Sequence, residues 1–214
     1  MLETLLAVFF PHFCPYCRRL IGIRQTECDE CRSGFAKSAY HRNLPTGEMC
    51  VAPFVYECGV RDAILDLKFK SMRFNAKSIG KYMFSAVREC YGEETFTYIT
   101  AVPMRKKVIR ERGYNQAELL SKELSNLMEV PYEKLLAKCL DRPPQHSLDK
   151  EDRKKNVEGL FAPLQEEKLQ GSTVLLVDDI CTTGYTLGEC CRLLKKSGAE
   201  KVLCVTASIS GNFA

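Results

Sequence analysis

The chain has 214 residues and a mass of 24.3 kDa, which suits one medium core with at most a small appendage, because single cores stop growing near ~250 residues. With 45% hydrophobic and 27% charged residues, 13 Gly and 9 Pro, it is neither disordered nor low in complexity. A net charge of +4, from 31 basic against 27 acidic residues, does not by itself mark a nucleic-acid protein.

The opening MLETLLAVFF is apolar. Glu3 stands where a secretory signal needs positive charge, and no small-residue cleavage site follows before His12 and Cys14, so the segment reads as mature sequence. No apolar run approaches the ~18 residues that span a bilayer, which predicts a cytoplasmic protein whose thiols stay reduced. Its 12 cysteines fall below the ~8–10% of secreted disulfide scaffolds. Four of them form two pairs, Cys14-Pro-Tyr-Cys17 and Cys28-Asp-Glu-Cys31, separated by ten residues. Each CxxC can make a tight knuckle with backbone N–H groups turned to its thiolates, and two knuckles supply four sulfurs to a structural zinc ion. A redox CxxC and a chance cluster of packed thiols are the competing readings. The other eight cysteines (Cys50, Cys58, Cys90, Cys139, Cys181, Cys190, Cys191, Cys204) read mainly as small buried hydrophobes, with Cys50 and Cys58 open as remains of a further knuckle.

After Cys31, the polar stretch RSGFAKSAYHRNLPTGE reads as a linker or ribbon exit. VAPFVYECGV, from Val51 to Val60, predicts a strand, and RDAILDLKFKS then places Ile64, Leu65 and Leu67 on a helical face. Helical spacing continues over residues 75–91. TYITAVP predicts a buried strand ending at Pro103, followed by a basic segment and an amphipathic helix from near Asn115. Asp141 to Lys155 is polar, carries Pro143 and Pro144, and reads as a long loop of the functional or mobile kind. In the last third, TVLLVDDI predicts a strand, LGECCRLLKKSGA a helix stopped at Gly198, and KVLCVTASI a second strand. This is a βαβ unit, and such units bind ligands at the carboxyl ends of their strands.

There the chemistry concentrates. Asp178 and Asp179 place two carboxylates where the sheet is expected to stop, suited to a vicinal diol or a metal. Thr182, Thr183, Gly184 and Thr186 follow with hydroxyls and backbone N–H groups at a helix start, a natural phosphate cradle. Diol clamp plus cradle describes a ribose 5-phosphate. No GxxxxGK[ST] and no GxGxxG accompanies them.

VLLVDDICTTGYTL resembles the phosphoribosyl pyrophosphate (PRPP) signature of type I phosphoribosyltransferases. The wider pattern resembles the ComF family of competence-associated proteins over nearly the whole chain: the cysteine knuckles, LKFK at Leu67 to Lys70, VPMRKK, RERGYNQAELL, QHSLDKEDRKKNVEGLF and the acidic loop. The resemblance implies an α/β fold with a type I phosphoribosyltransferase-like parallel sheet flanked by helices over residues 49–214, and a small zinc-ribbon appendage over residues 1–48. It implies that Asp178 and Asp179 bind the ribose hydroxyls and shape a Mg²⁺ site. Ile180, Cys181, Thr182, Thr183, Gly184, Tyr185 and Thr186 would hold the 5-phosphate, with Arg105, Lys106 and Lys107 on the pyrophosphate and Lys68 as a further cation. Gln145, Leu148, Arg153 and Asn156 match the family's mobile segment, so Arg153 joins Asp178, Asp179 and Lys106 as a catalytic candidate. Arg142 stands where the family pattern has Thr, which puts the fine detail of that loop in doubt. His146, tempting as an acid or base, reads as an exposed loop residue. The reaction so implied is Mg²⁺-assisted displacement of pyrophosphate by an unidentified acceptor. The alternative is a PRPP sensor or an adaptor for single-stranded DNA and competence-machinery proteins. In that reading the cations of Lys68 to Lys81 and Arg105 to Arg112 track a backbone while Tyr16, Tyr40 and Phe69 stack on bases.

Overall fold

A computed structural model describes residues 11–35, 38–92, 94–139 and 159–211. At the start, β1 (His12–Phe13) and β2 (Leu20–Ile21) pair antiparallel and lead into the short helix α1 (Asp29–Gly34). The main sheet draws on β3 (Tyr40–Asn43), β4 (Met49–Ala52), β5 (Phe54–Val55), β6 (Tyr98–Ala101), β9 (Thr173–Cys181) and β10 (Lys201–Ile209). Its order is β3-β4-β10-β9-β6, with β5 also on β10. Every pairing is parallel except β3 against β4.

Burial on both faces explains the continuous apolar runs of β9 and β10. Leu175, Val177, Val205 and Ala207 face one core, shared with α2 (Cys58–Phe69), α3 (Asn75–Tyr91) and α5 (Gln116–Met128). Val174, Leu176, Val202 and Cys204 face the other, shared with α7 (Tyr185–Lys196) and the hairpin of β7 (Leu136–Lys138) and β8 (Phe161–Pro163). Short helices α4 (Lys106–Arg112) and α6 (Glu166–Leu169) complete the described elements. The expected βαβ unit is β9-α7-β10, and the α7 face Leu187, Cys190, Cys191 and Leu194 keeps helical spacing into the core.

Three boundaries differ from the sequence expectation. The single strand read over Val51 to Val60 is two short strands and a helix start. Pro53, which has no N–H to give a ladder, separates β4 from β5, and α2 already begins at Cys58. The polar linker after Cys31 contains α1 and β3; β3 is an edge strand with alternating half-buried and exposed residues, so it carries no apolar run to read. The sheet also does not stop at the acid pair. Asp178, Ile180 and Cys181 still pair with Thr206, Ser208 and Ile209, and the loop begins at Thr182. Among the described residues no helix is long and apolar enough to cross a membrane.

The cysteine segment packs onto α2 and α3. Tyr16 is buried in an aromatic group with Phe35, Phe54 and Tyr82, ring centroids 4.6 to 6.4 Å from its own. Its hydroxyl lies 2.9 Å from Ser78 Oγ on α3. Its carbonyl sits so close to Gly59 on α2 that a Cβ there would stand 2.1 Å from the oxygen. Glu27 accepts from Ser78 and from Arg32, 3.1 Å away, and Arg18 forms an ion pair with Asp66, which is buried on α2.

Candidate functional site

The sulfurs of Cys14, Cys17, Cys28 and Cys31 all lie within 4.8 Å of one another, with Cys17 and Cys28 3.5 Å apart. Tetrahedral Zn–S bonds of ≈ 2.3 Å would set sulfurs about 3.8 Å apart, so the cluster fits such an ion. The knuckles form as the spacing predicts. Arg18 takes a left-handed φ of 63° beyond the first, and Cys28 caps α1 by accepting from the Cys31 backbone N–H at 3.4 Å. That N–H, followed by the neighbouring thiols, lowers the Cys28 thiol to about 7 despite burial. The four-cysteine cluster can therefore hold a metal such as zinc, with all four positions taken by protein. Of the other eight cysteines, Cys50, Cys181, Cys190, Cys191 and Cys204 are buried as expected and Cys90 is half-buried. Cys58 and Cys139 are exposed, contrary to the packing expectation. Cys50 sits inside the sheet and Cys58 at the start of α2, so this pair does not form a second knuckle.

At the carboxyl end of β9, successive residues point to opposite faces of the sheet. Asp179 turns to the α2 and α5 side. Its Oδ1 lies 3.0 Å from Lys68 Nζ, at the end of α2, and its Oδ2 accepts from Gln116 Nε2, in the first turn of α5. Asp178 is half-buried on the α7 side, and its Oδ1 accepts from the Asp179 backbone N–H at 2.8 Å. Burial first, and the charge of Asp179 second, push the Asp178 carboxyl up to about 8, so it holds a proton near neutral pH.

The RGYNQ segment positions this corner. Tyr114 donates to the Leu67 carbonyl under the ring-stacked Arg73, whose guanidinium is 4.6 Å from the ring centroid. Asn115 caps α5, accepting from Ala117 N at 3.1 Å, and donates to the Val102 carbonyl at 3.0 Å. Gln116 then receives a bond from Arg112 and gives one to Asp179. The sequence alone assigns Gln116 no role.

The loop after β9 enters α7 through Gly184, whose φ of 80° is left-handed. A Cβ there would stand 2.7 Å from Leu44 Cδ2, and one at Gly188 2.7 Å from Thr46 Oγ1, so the β3–β4 turn seats against the helix start. Thr182, Thr183 and Tyr185 line an open cleft of about 760 Å³ with Arg42, Asn43, Ser210 and Gly211. Arg42 and Asn43 lie in the stretch read as a linker, where no sequence signal marked them. Thr186 is exposed in the first turn of α7. Ile180 is half-buried; Cys181 is 1% exposed, and only its backbone is placed to meet a ligand, its carbonyl already accepting from Ser210 N at 3.0 Å.

The basic segment is not gathered at one point. Arg105 precedes α4, and Lys107 is 4.0 Å from Glu111 across one turn. Lys106 lines a separate pocket of about 70 Å³ with Tyr132, Lys134 and Lys138. This segment still follows β6, whose neighbour is β9, and Val102 N bonds the Val177 carbonyl at 2.9 Å, so it leaves the same sheet edge as the acid pair. Arg153 and the Asp141 to Lys155 loop lie outside the described residues, as does MLETLLAVFF. Tyr16, expected as a stacking residue, is 6% exposed in the core and cannot meet a base.

Residues 109–208 match the model of the phosphoribosyl transferase domain family. The chain is 31% identical over 140 residues to Competence protein F of Haemophilus influenzae, covering 63% of this chain and 61% of that protein. It is 28% identical over 202 residues to DNA utilization protein YhgH of Escherichia coli K12, covering 88% and 86%. Competence protein ComFC of Bacillus subtilis matches at 25% over 198 residues, covering 87% and 73%. The chain thus carries a phosphoribosyl transferase domain on a parallel α/β sheet. Relatives with competence and DNA-utilization names run along most of its length, in agreement with the ComF resemblance.

The raised Asp178 carboxyl has a sign that can be measured. A carboxyl at about 8 when folded and ~3.9 when unfolded contributes stability that is fully present below ~4 and is lost as pH rises through 8. Asp178→Asn removes that dependence. Urea midpoints of zinc-saturated protein between pH 5 and pH 9 are expected to fall for the wild type relative to the variant; parallel midpoints would contradict the burial of this charge.

Proposed function

We propose that the protein binds PRPP with Mg²⁺ at the carboxyl edge of β9 and transfers its phosphoribosyl group to an acceptor, releasing pyrophosphate. The observation that carries this reading is the acid pair at the end of β9, followed directly by a threonine- and glycine-rich turn into α7. The acidic end of β9 receives the ribose hydroxyls. The backbone of residues 180–186, with the hydroxyls of Thr182, Thr183 and Thr186, receives the 5-phosphate at the positive end of α7. Lys68, Arg105, Lys106 and Lys107 are the cations assigned to the pyrophosphate in this reading, together with Arg153, which lies outside the described residues. Mg²⁺ suits the hard carboxylate oxygens here and would neutralise charge gathering on the leaving group. No side chain is needed as a nucleophile.

In this reading residues 1–48 form a closed, structural zinc ribbon and residues 49–214 the transferase-like domain. The relatives' names, competence and DNA utilization, favour a role in handling incoming DNA in the cytoplasm. The test is a screen of PRPP, Mg²⁺ and candidate acceptors that reads pyrophosphate. Release with at least one acceptor is expected for the wild type, and a loss of a hundredfold or more, on the order of 3 kcal/mol, for the Asp178→Asn, Asp179→Asn double variant. Wild-type protein that neither binds PRPP calorimetrically nor releases pyrophosphate would end the reading.

A second reading, the adaptor for single-stranded DNA, is favoured by one surface. Phe69, at 69% exposure, lies under the Arg112 guanidinium, 5.0 Å from its ring centroid. Met72 and Phe74 are also exposed, and the Phe74 ring is 5.8 Å from that of His12. Such exposed aromatics among cations are the elements of a stacking platform, worth ~1–3 kcal/mol per base. Tyr40 is half-buried and Lys68 is paired inside, so the platform runs along Phe69 to Phe74 with Lys70 and Arg73. The Phe69→Ala, Phe74→Ala variant is expected to weaken a fluorescent oligothymidine at least tenfold by anisotropy. Unchanged binding would remove this surface from consideration.

A further inference from the structure

The two carboxylates at the end of β9 are not equivalent. Alternation of the strand sends them to opposite faces. The side chain of Asp179 is 7% exposed and both its oxygens are engaged, Oδ1 by Lys68 Nζ at 3.0 Å and Oδ2 by Gln116 Nε2. Gln116 is itself oriented, because its Oε1 accepts from Arg112 and only its amide nitrogen is left to face Asp179. Arg112 in turn packs on Phe69, the neighbour of Lys68. Lys68 is 18% exposed at its side chain, so this is an ion pair held largely out of water. Such a pair adds little stability over a well-packed apolar replacement. What it does provide is a fixed ammonium, two residues from Asp66, on a helix end that Arg18 also grips. Asp178, by contrast, accepts in the structure from the backbone N–H of Asp179.

We propose that Asp179 is a positioning residue that fixes the Lys68 ammonium at the rim of the site to meet the pyrophosphate, and that the ribose contact falls to Asp178. This rests on the phosphoribosyl reading above and divides the roles within it.

Calorimetry of zinc-loaded, full-length protein in excess Mg²⁺, with PRPP, ribose 5-phosphate and inorganic pyrophosphate as separate probes, tests the division. Lys68→Met is expected to weaken PRPP and pyrophosphate about tenfold or more, the scale of one charged hydrogen bond, and to leave ribose 5-phosphate within about twofold. Asp179→Asn should show the same selectivity, and the Lys68→Met, Asp179→Asn double variant should be no weaker than Lys68→Met within about twofold, because both remove one contact. Lys68→Arg should restore much of the pyrophosphate affinity. Asp178→Asn should weaken PRPP and ribose 5-phosphate and spare pyrophosphate. If circular dichroism shows Asp179→Asn unfolded, Gln116→Leu loosens the same anchor and should give the same selectivity at smaller size. Loss of ribose 5-phosphate binding equal to that of PRPP in Asp179→Asn, multiplied losses in the double variant, or pyrophosphate binding unchanged in Lys68→Met would each overturn the division while leaving the phosphoribosyl reading standing. Wild-type protein that binds none of the three probes would overturn both.

Discussion

The buried carboxylate of Asp179 is the point on which the rest of the site depends. It lies on β9, an interior strand between β10 and β6, and draws in the end of α2 through Lys68 and the start of α5 through Gln116. Removing Lys68 from a charge this deep would leave it uncompensated, a cost of ~3–5 kcal/mol for a buried pair. Three segments far apart in sequence are thereby held in one geometry, and the RGYNQ turn closes the triangle through Tyr114 on Leu67 and Asn115 on Val102. What the arrangement leaves for a ligand is the Asp178 side of the strand, the glycine-bearing turn into α7 and the cationic segment beyond β6.

The cysteine cluster reaches the same helix from the other side. Its segment has too few residues to build a core of its own, so docking onto α2 and α3 replaces one, beside a four-cysteine cluster that can hold a metal. Tyr16 fills the aromatic pocket, Glu27 bonds Ser78, and Arg18 pairs with Asp66 one turn from the end of α2. Buried Asp66 is held below the usual carboxylate range, burial being outweighed by Arg18 and Lys70. The end of α2 is thus fixed by one acid that faces the cysteine segment and by one lysine that faces the acid pair. The cysteine cluster is in this way tied through α2 to the edge where the ligand is proposed to bind.

Much of this was legible in the sequence because it rests on local rules. Two CxxC pairs declare a four-sulfur cluster, the 3.6-residue period finds α3 and α5, and a β-branched run followed by Thr, Gly and a helical period finds β9-α7-β10. What escaped depends on long-range contact. β3 reads as a polar linker because an edge strand needs only one half-buried face, and with it went Arg42 and Asn43. Gln116 and Lys68 converge on Asp179 from 63 and 111 positions earlier in the chain, which no spacing rule encodes. Tyr16 reads as a free aromatic beside cations, yet its place between two cysteines of a docked knuckle buries it. The sequence puts the end of β9 too early because acids usually mark a strand's exit into water, whereas here the ladder to β10 continues past them.

A crystal structure of the protein grown with PRPP and Mg²⁺ tests the central claim most directly. The account predicts the 5-phosphate against the backbone N–H groups of residues 182–186, the ribose over Asp178, and the pyrophosphate within reach of the Lys68 ammonium. PRPP bound elsewhere on the chain, or an empty β9 edge at saturating PRPP, would contradict it.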